Sequence, residues 1–141
     1  MQNVDVRVAP DVALDAVLAL YEAVGWTAYT RDPGTIAAGL RGASFVAGAF
    51  SNDRLIGLVR AISDDASVCY LQDVLVHPDA QRSGVGRSLV TAVLDRYAHV
   101  RQHVLLTDDE PQQRAFYESL GYVEIRDVEG ASLRAFVRFT G

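Results

Sequence analysis

Val74-Leu75-Val76-His77-Pro78-Asp79-Ala80-Gln81-Arg82-Ser83-Gly84-Val85-Gly86-Arg87 is the stretch whose reading decides the fold. Upstream, Tyr70 to Val76 is an apolar β-run, and Pro78 ends it, because proline offers no ladder N–H and restricts the residue before it. Downstream, Val85, Leu89 and Val93 recur every fourth residue with Val90 and Leu94 beside them, the stripe of an amphipathic helix. Between the two lies a short loop that places Gly84 and Gly86 at the mouth of the helix. A helix start presents N–H groups without intrahelical partners and the positive end of the macrodipole. Glycines there let an anion approach the backbone, and Gln81, Arg82 and Arg87 add donors and charge. The physical reading is a strand–loop–helix phosphate cradle.

The better-known cradles do not fit. No G-x-x-x-x-G-K-[ST] is present, and the residue three after Gly86 is Leu89, so the dinucleotide fingerprint fails. What fits is a different pattern, [QR]-x-x-G-x-[GA] after a strand ending in V-x-P, met here as Gln81-Arg82-Ser83-Gly84-Val85-Gly86 after Val76-His77-Pro78. Further along stands Ala115-Phe116-Tyr117-Glu118-Ser119-Leu120-Gly121-Tyr122, which matches F-Y-x-x-L-G-[FY]. In this order, with a strand-like run between them, the two motifs resemble those of the GNAT superfamily of N-acetyltransferases.

Working outward, 141 residues read as one domain over 1–141, and half of them are apolar, enough for a real core. No run approaches the ~18–20 apolar residues of a membrane span, and the N-terminus lacks the basic start and apolar run of a signal peptide. A single cysteine excludes an internal disulfide and a multi-cysteine zinc site, so a cytoplasmic location is expected. The net charge of −5 points away from nucleic acid and toward cationic or amine partners.

Val4, Val6 and Val8 alternate with polar residues as a half-buried strand. Asp11 is placed to cap a helix with Leu14, Val17, Leu18 and Tyr21 on its apolar face, ending at Gly25. Trp26 to Arg31 has no clear period, and Asp32-Pro33-Gly34 punctuates it before a short helix over Ile36 to Leu40. Phe45–Phe50 and Arg54–Ile62 form a hairpin about Ser51-Asn52-Asp53, and the central strand runs from about Ser67 to Val76. After the cradle helix come a short strand from His103 to Thr107 and a helix opened by Asp108-Asp109-Glu110-Pro111 and closed by Gly121. Tyr122–Arg126 and Ser132–Phe139 are expected as a second hairpin. The order β-α-α-β-β-β-α-β-α-β-β is an α/β (α+β) arrangement, one mixed sheet flanked by helices, and the resemblance implies the same order.

The resemblance implies acetyl-CoA as cofactor. Its pantetheine arm would lie along the exposed edge of the central strand at Leu75 and Val76, facing His103 to Leu106. Gln81, Arg82, Ser83, Gly84, Val85, Gly86, Arg87 and Ser88 would surround its pyrophosphate. Acetyl transfer to an amine needs a neutral amine, a stabilised carbonyl oxygen and a proton for the leaving thiolate. Tyr117 matches the family's general-acid tyrosine, and a hydroxyl whose pKa of ~10 lies near a thiol's suits that role. Asp73 on the central strand could bind an ammonium or relay its proton, with Tyr70 and Gln72 as neighbours; a water-mediated route is equally open. Trp26 and Tyr29 belong to the segment that roofs the acceptor in this family. His77 shapes the V-x-P loop, and Cys69, in mid-strand, reads as a small buried residue rather than as a nucleophile served by His99 or His103. Glu110 stands where many members carry Asn.

The implied activity is direct transfer of acetyl from acetyl-CoA to a primary amine, with no metal and no covalent enzyme intermediate. An acyl-CoA sensor without turnover is the alternative, against which Tyr117 stands; a nucleotide-binding regulatory domain is a weaker one. The acceptor could be a small amine, an aminosugar, a polyamine or a protein amine, and the short chain favours a small molecule. No nucleic acid or membrane partner is expected, and a homodimer through the last strands is open.

Overall fold

A computed structural model describes residues 3–140, and the chain divides after Leu106 into two compact units. The first is built on a mixed five-stranded sheet of β1 (Val4–Val8), β2 (Phe45–Ser51), β3 (Arg54–Ser63), β4 (Val68–Val76) and β5 (Gln102–Leu105), in spatial order β1-β2-β3-β4-β5. The first four strands pair antiparallel, whereas β4 and β5 are parallel. The hairpin expected at Ser51-Asn52-Asp53 forms, with Asn52 and Asp53 at φ of 50° and 64°. Two successive left-handed residues suit the right-handed twist of the flanking strands, and Asn and Asp tolerate that conformation.

Two registers slip, and the second matters for function. Arg60 pairs with Asp73 but Ala61 with Leu71, so Gln72 is an extra residue in β4. Side chains alternate along β3, so Arg60 and Ile62 share a face, and so do their partners Asp73 and Tyr70. In a regular strand those two residues, three apart, would point to opposite faces.

One face of the sheet is covered by α1 (Leu14–Ala23) and α3 (Pro33–Gly42), with the single turn α2 (Thr27–Thr30) between them. Val17, Leu20 and Tyr21 of α1 and Ile36 of α3 join Phe50, Leu55, Leu58 and Leu75 in one buried cluster. Burying each large aliphatic side chain stabilises the fold by about 1.5–3 kcal/mol. The helix expected over Ile36–Leu40 is longer. The Asp32 carboxylate accepts from the Thr35 backbone N–H at 3.2 Å and from its hydroxyl at 2.6 Å, and Pro33 supplies a pre-set first residue. At α1 the expected Asp11 cap is not used; the helix starts at Leu14 behind Ala13, without a capping side chain. It ends as expected, with Gly25 at φ +86°.

The opposite face carries α4 (Val85–Arg96), which buries Val85, Leu89, Val90 and Val93. Gly57 lets it come close: a Cβ there would stand 2.9 Å from Leu89 Cδ1 and 3.0 Å from Val85 Cγ1. The Phe45 and Tyr97 rings meet edge to face at 6.1 Å at the far end of the helix.

The second unit contains α5 (Pro111–Ser119), opened by Glu110 and Pro111 and closed by Gly121 at φ +94°. Its end is tied by the Tyr122 N–H, which donates to the Tyr117 carbonyl at 3.1 Å. The hairpin expected from Tyr122–Arg126 and Ser132–Phe139 does not form; no strand follows Leu105 among the described residues. Its first half is instead a 3-10 turn, Ile125–Asp127, in which Glu124 accepts from the Arg126 backbone at 2.6 Å and Arg114 pairs with Asp127. The second half leaves Phe136 and Phe139 90% and 86% exposed, and a lone two-stranded hairpin is marginal in water.

Candidate active site

Strand β5 pairs with β4 only from Val68↔Gln102 to Leu71↔Leu105, yet β4 continues to Val76. From Gln72 onward the β4 edge therefore has no ladder partner on that side among the described residues. Buried backbone donors and acceptors seek partners, so such an edge is a template for an extended, amide-bearing ligand. The side chain of Leu75 is buried in the core cluster, which leaves its backbone as the available part. At Val76 the carbonyl is engaged by the Gln81 side-chain amide at 3.2 Å, so Gln81 turns back onto the strand end.

That edge runs directly into the loop before α4. A 3-10 turn, Pro78–Ala80, is followed by Arg82 at φ +65° and Gly84 at φ +86°. Gly84 is the N-cap residue, with no side chain capping the helix, and an added Cβ there would meet nothing within 4 Å. Open space over an uncapped, left-handed glycine is what an approaching anion needs. Arg82, Ser83, Arg87 and Ser88 are exposed around it, while Val85 is buried against Gly57, so only its backbone faces the loop. Ser83 donates its hydroxyl to the Ala80 carbonyl and fixes the loop. His77 does likewise, its Nδ1 accepting from the Asp79 N–H at 3.1 Å.

Asp73 is not a solvated edge carboxylate. It is 1% exposed, and its Oδ2 accepts from the Tyr21 hydroxyl at 2.6 Å and from Arg60 Nε at 2.9 Å. Burial and then the neighbouring carboxylate push the Tyr21 hydroxyl far up, so Tyr21 is a permanent donor. Asp73 Oδ1 is buried with no partner among the described residues. Buried polar atoms without a partner are rare and mark sites where another group belongs.

Trp26 and Tyr29 come together with Tyr21. The ring centroids lie 6.0 Å apart for Tyr21–Trp26, 5.4 Å for Tyr21–Tyr29 and 5.9 Å for Trp26–Tyr29. The sequence reading missed Tyr21 and Arg60. Tyr21 looks like one more apolar residue on α1, but a lone arginine inside the apolar run of β3 is a legible sign of a buried ion pair. Cys69 is buried and its thiol pushed up by that burial; His99 is on the surface with Asp65, 2.8 Å away.

In the second unit, Tyr117 is half-buried between Phe116 and Tyr122, with ring centroids at 5.0 and 5.8 Å. Burial pushes its hydroxyl up to about 12, so it keeps its proton throughout the neutral range. Glu110 is the N-cap residue of α5 but makes no capping bond with its side chain. Among the described residues no group of three His, Cys, Asp or Glu is placed to hold a metal ion, and no helix is long and apolar enough to cross a membrane.

A family model described as an acetyltransferase (GNAT) domain matches residues 32–134. A GNAT-family acetyltransferase from Streptococcus pneumoniae superposes with a TM-score of 0.80 at 28% identity, over 96% of this chain and 98% of that one. An uncharacterised N-acetyltransferase, ycf52, of Pyropia yezoensis is 29% identical over 77 residues, 55% of this chain and 44% of the relative. A histone acetyltransferase of Glycine max is 31% identical over 125 residues, 79% of this chain and 52% of the relative. The matches thus span about half the length of these curated relatives.

Proposed function

The chain belongs to the GNAT acetyltransferase family, and from that premise we propose that it moves an acetyl group from acetyl-CoA to the primary amine of a small acceptor. One observation carries the proposal: the unpaired edge of β4 from Gln72 to Val76 leads straight into an uncapped helix start with open space over Gly84. An extended amide-bearing arm fits the edge and a diphosphate fits the helix mouth. Acetyl-CoA, when bound, supplies an acetyl group already activated as a thioester.

The chain's own residues divide the remaining work. The loop from Arg82 to Ser88 offers backbone N–H groups and two exposed guanidinium groups to the diphosphate. Backbone groups of β4 orient the arm, so that its reactive end lies toward Asp73 rather than toward the loop. Asp73, already holding two donors on one oxygen, presents its second oxygen to the acceptor ammonium. That ammonium gives up one proton to water before its nitrogen attacks the thioester carbonyl, and a second as the amide forms and the thiolate leaves. Tyr117, protonated up to about 12, holds a proton at its hydroxyl for the leaving thiolate. The family match runs across Leu106, from residue 32 to residue 134, and so takes in sequence from both units.

Thiol release from acetyl-CoA, followed across a panel of amines together with the mass of the product, tests the reading. One thiol should appear for each acetylated amine. Acetyl-CoA that binds but yields no thiol with any amine class would leave only an acyl-CoA-binding role.

A further inference from the structure

We infer that Tyr21, Trp26, Tyr29 and Tyr70, with the unpartnered oxygen of Asp73, form a recess for a protonated amine carrying an apolar body, so that the acceptor is recognised as a cation before it reacts. The inference rests on the proposed acetyl transfer for its purpose, though not for the binding itself.

Four observations meet here. The first is the ring trio, with centroids 5.4–6.0 Å apart and planes tilted by 34–51°. Three tilted rings present faces as well as edges, and ring faces carry the negative side of the quadrupole that attracts a cation. The second is the gradient of exposure. Tyr21 is buried, Trp26 half-buried and Tyr29 38% exposed, so the cluster opens to solvent at one side, unlike a closed core. The third is Asp73 Oδ1, buried and without a partner among the described residues, an acceptor waiting for an N–H. The fourth is the extra residue in β4, which turns half-buried Tyr70 onto the face of Asp73. Burial, the Asp73 charge and Tyr29 together raise the Tyr70 hydroxyl above its ordinary value, which places all three within electrostatic reach.

Arg60 is the obvious objection, because a guanidinium repels an ammonium. Its Nε, however, is spent on Asp73 Oδ2. Its Nη1 lies beside Gly39 of α3, 2.7 Å from where a Cβ on Gly39 would stand. The positive end of Arg60 is therefore directed to α3 while Oδ1 stays open. An ion pair with one free oxygen suits an ammonium better than a lone buried carboxylate would, since Tyr21 and Arg60 fix the carboxylate in place before the ligand arrives.

Trp26 is the only tryptophan in the chain, so its fluorescence reports on this recess directly. The protein alone, without acetyl-CoA, is titrated at neutral pH with benzylammonium and with benzyl alcohol, a neutral ligand of the same shape. Benzylammonium should give a saturable change and bind at least about tenfold more tightly than the alcohol. Tyr29→Ala, at an exposed position that leaves the core intact, should weaken the cation about fivefold or more. Asp73→Asn should bring the two ligands within about threefold of each other, and Tyr29→Ala carries the test if that variant does not fold. Equal binding of the two ligands, or an unchanged cation affinity in Tyr29→Ala, overturns the inference. Calorimetric binding of acetyl-CoA to the same wild-type sample separates the two readings: a protein that selects the cation but ignores acetyl-CoA refutes the transferase and keeps the recess.

Discussion

Replacing Tyr21 by Phe removes one oxygen and keeps the ring. That oxygen donates to Asp73 Oδ2 at 2.6 Å, in a site where Tyr21 and Asp73 are each 1% exposed. A hydrogen bond to a charged group contributes about 1.5–3 kcal/mol, and here the loss leaves a buried carboxylate with Arg60 alone. In a chain of 141 residues each kilocalorie is worth about 3–4 °C of melting temperature, so Tyr21→Phe should melt roughly 5–10 °C lower. Urea denaturation should show the same loss as a lower midpoint at unchanged slope. In the double variant Tyr21→Phe with Asp73→Asn, the losses should add to less than their sum, because both remove one bond. Acetyl-CoA should bind as before, since the hydroxyl bonds the Asp73 side chain and neither the backbone of the β4 edge nor the loop, while KM for a cationic amine should rise. A Phe variant within about 0.5 kcal/mol of wild type, with additive double-mutant losses, would refute the reasoning, for it would mean that the carboxylate needs no help from Tyr21.

Three further outcomes are expected. Gly84→Val puts a β-branched residue at φ +86° and fills the open space over the helix start; calorimetry should show acetyl-CoA affinity lowered at least about tenfold in a folded protein. Gly57→Ala places a Cβ 2.9 Å from Leu89 Cδ1 and 3.2 Å from the Leu75 carbonyl, so it should cost about 1–3 kcal/mol in denaturant and disturb the α4 mouth behind it. Burial raises the Tyr117 hydroxyl from its ordinary 10 to about 12, so between those values the folded state holds a proton that the unfolded state has lost. That contribution is complete below pH 10 and disappears as the pH rises through about 12; wild type should therefore lose stability more steeply than Tyr117→Phe over that window in parallel denaturant titrations.

The parts of the fold legible in the sequence are those fixed by local chemistry. Pro78 ends β4, the four-residue recurrence of Val85, Leu89 and Val93 makes α4, and Asn52-Asp53 turns the β2–β3 hairpin. The extra residue at Gln72 was not legible, because nothing in Tyr70-Leu71-Gln72-Asp73 distinguishes a bulged from a regular alternation. Its consequence, Tyr70 and Asp73 on one face, is a matter of pairing with β3. Tyr21 escaped for a related reason, since it lies 52 residues from the carboxylate it serves; Arg60 is legible as a buried cation, but not its partner, 13 residues further along the chain. The C-terminal alternation of Leu133, Ala135, Val137 and Phe139 reads as a strand, but a strand needs a neighbour to pair with, and among the described residues these pair with none.

Direct acetyl transfer with Tyr117 as proton donor is tested most plainly by the turnover of Tyr117→Phe with a saturating cationic amine. The ring that packs between Phe116 and Tyr122 is kept, so the fold and acetyl-CoA binding should be unchanged. Turnover should fall by roughly 10²–10⁴-fold, the usual worth of a positioned general acid. A variant that retains near-normal kcat would contradict this and make Tyr117 a packing residue.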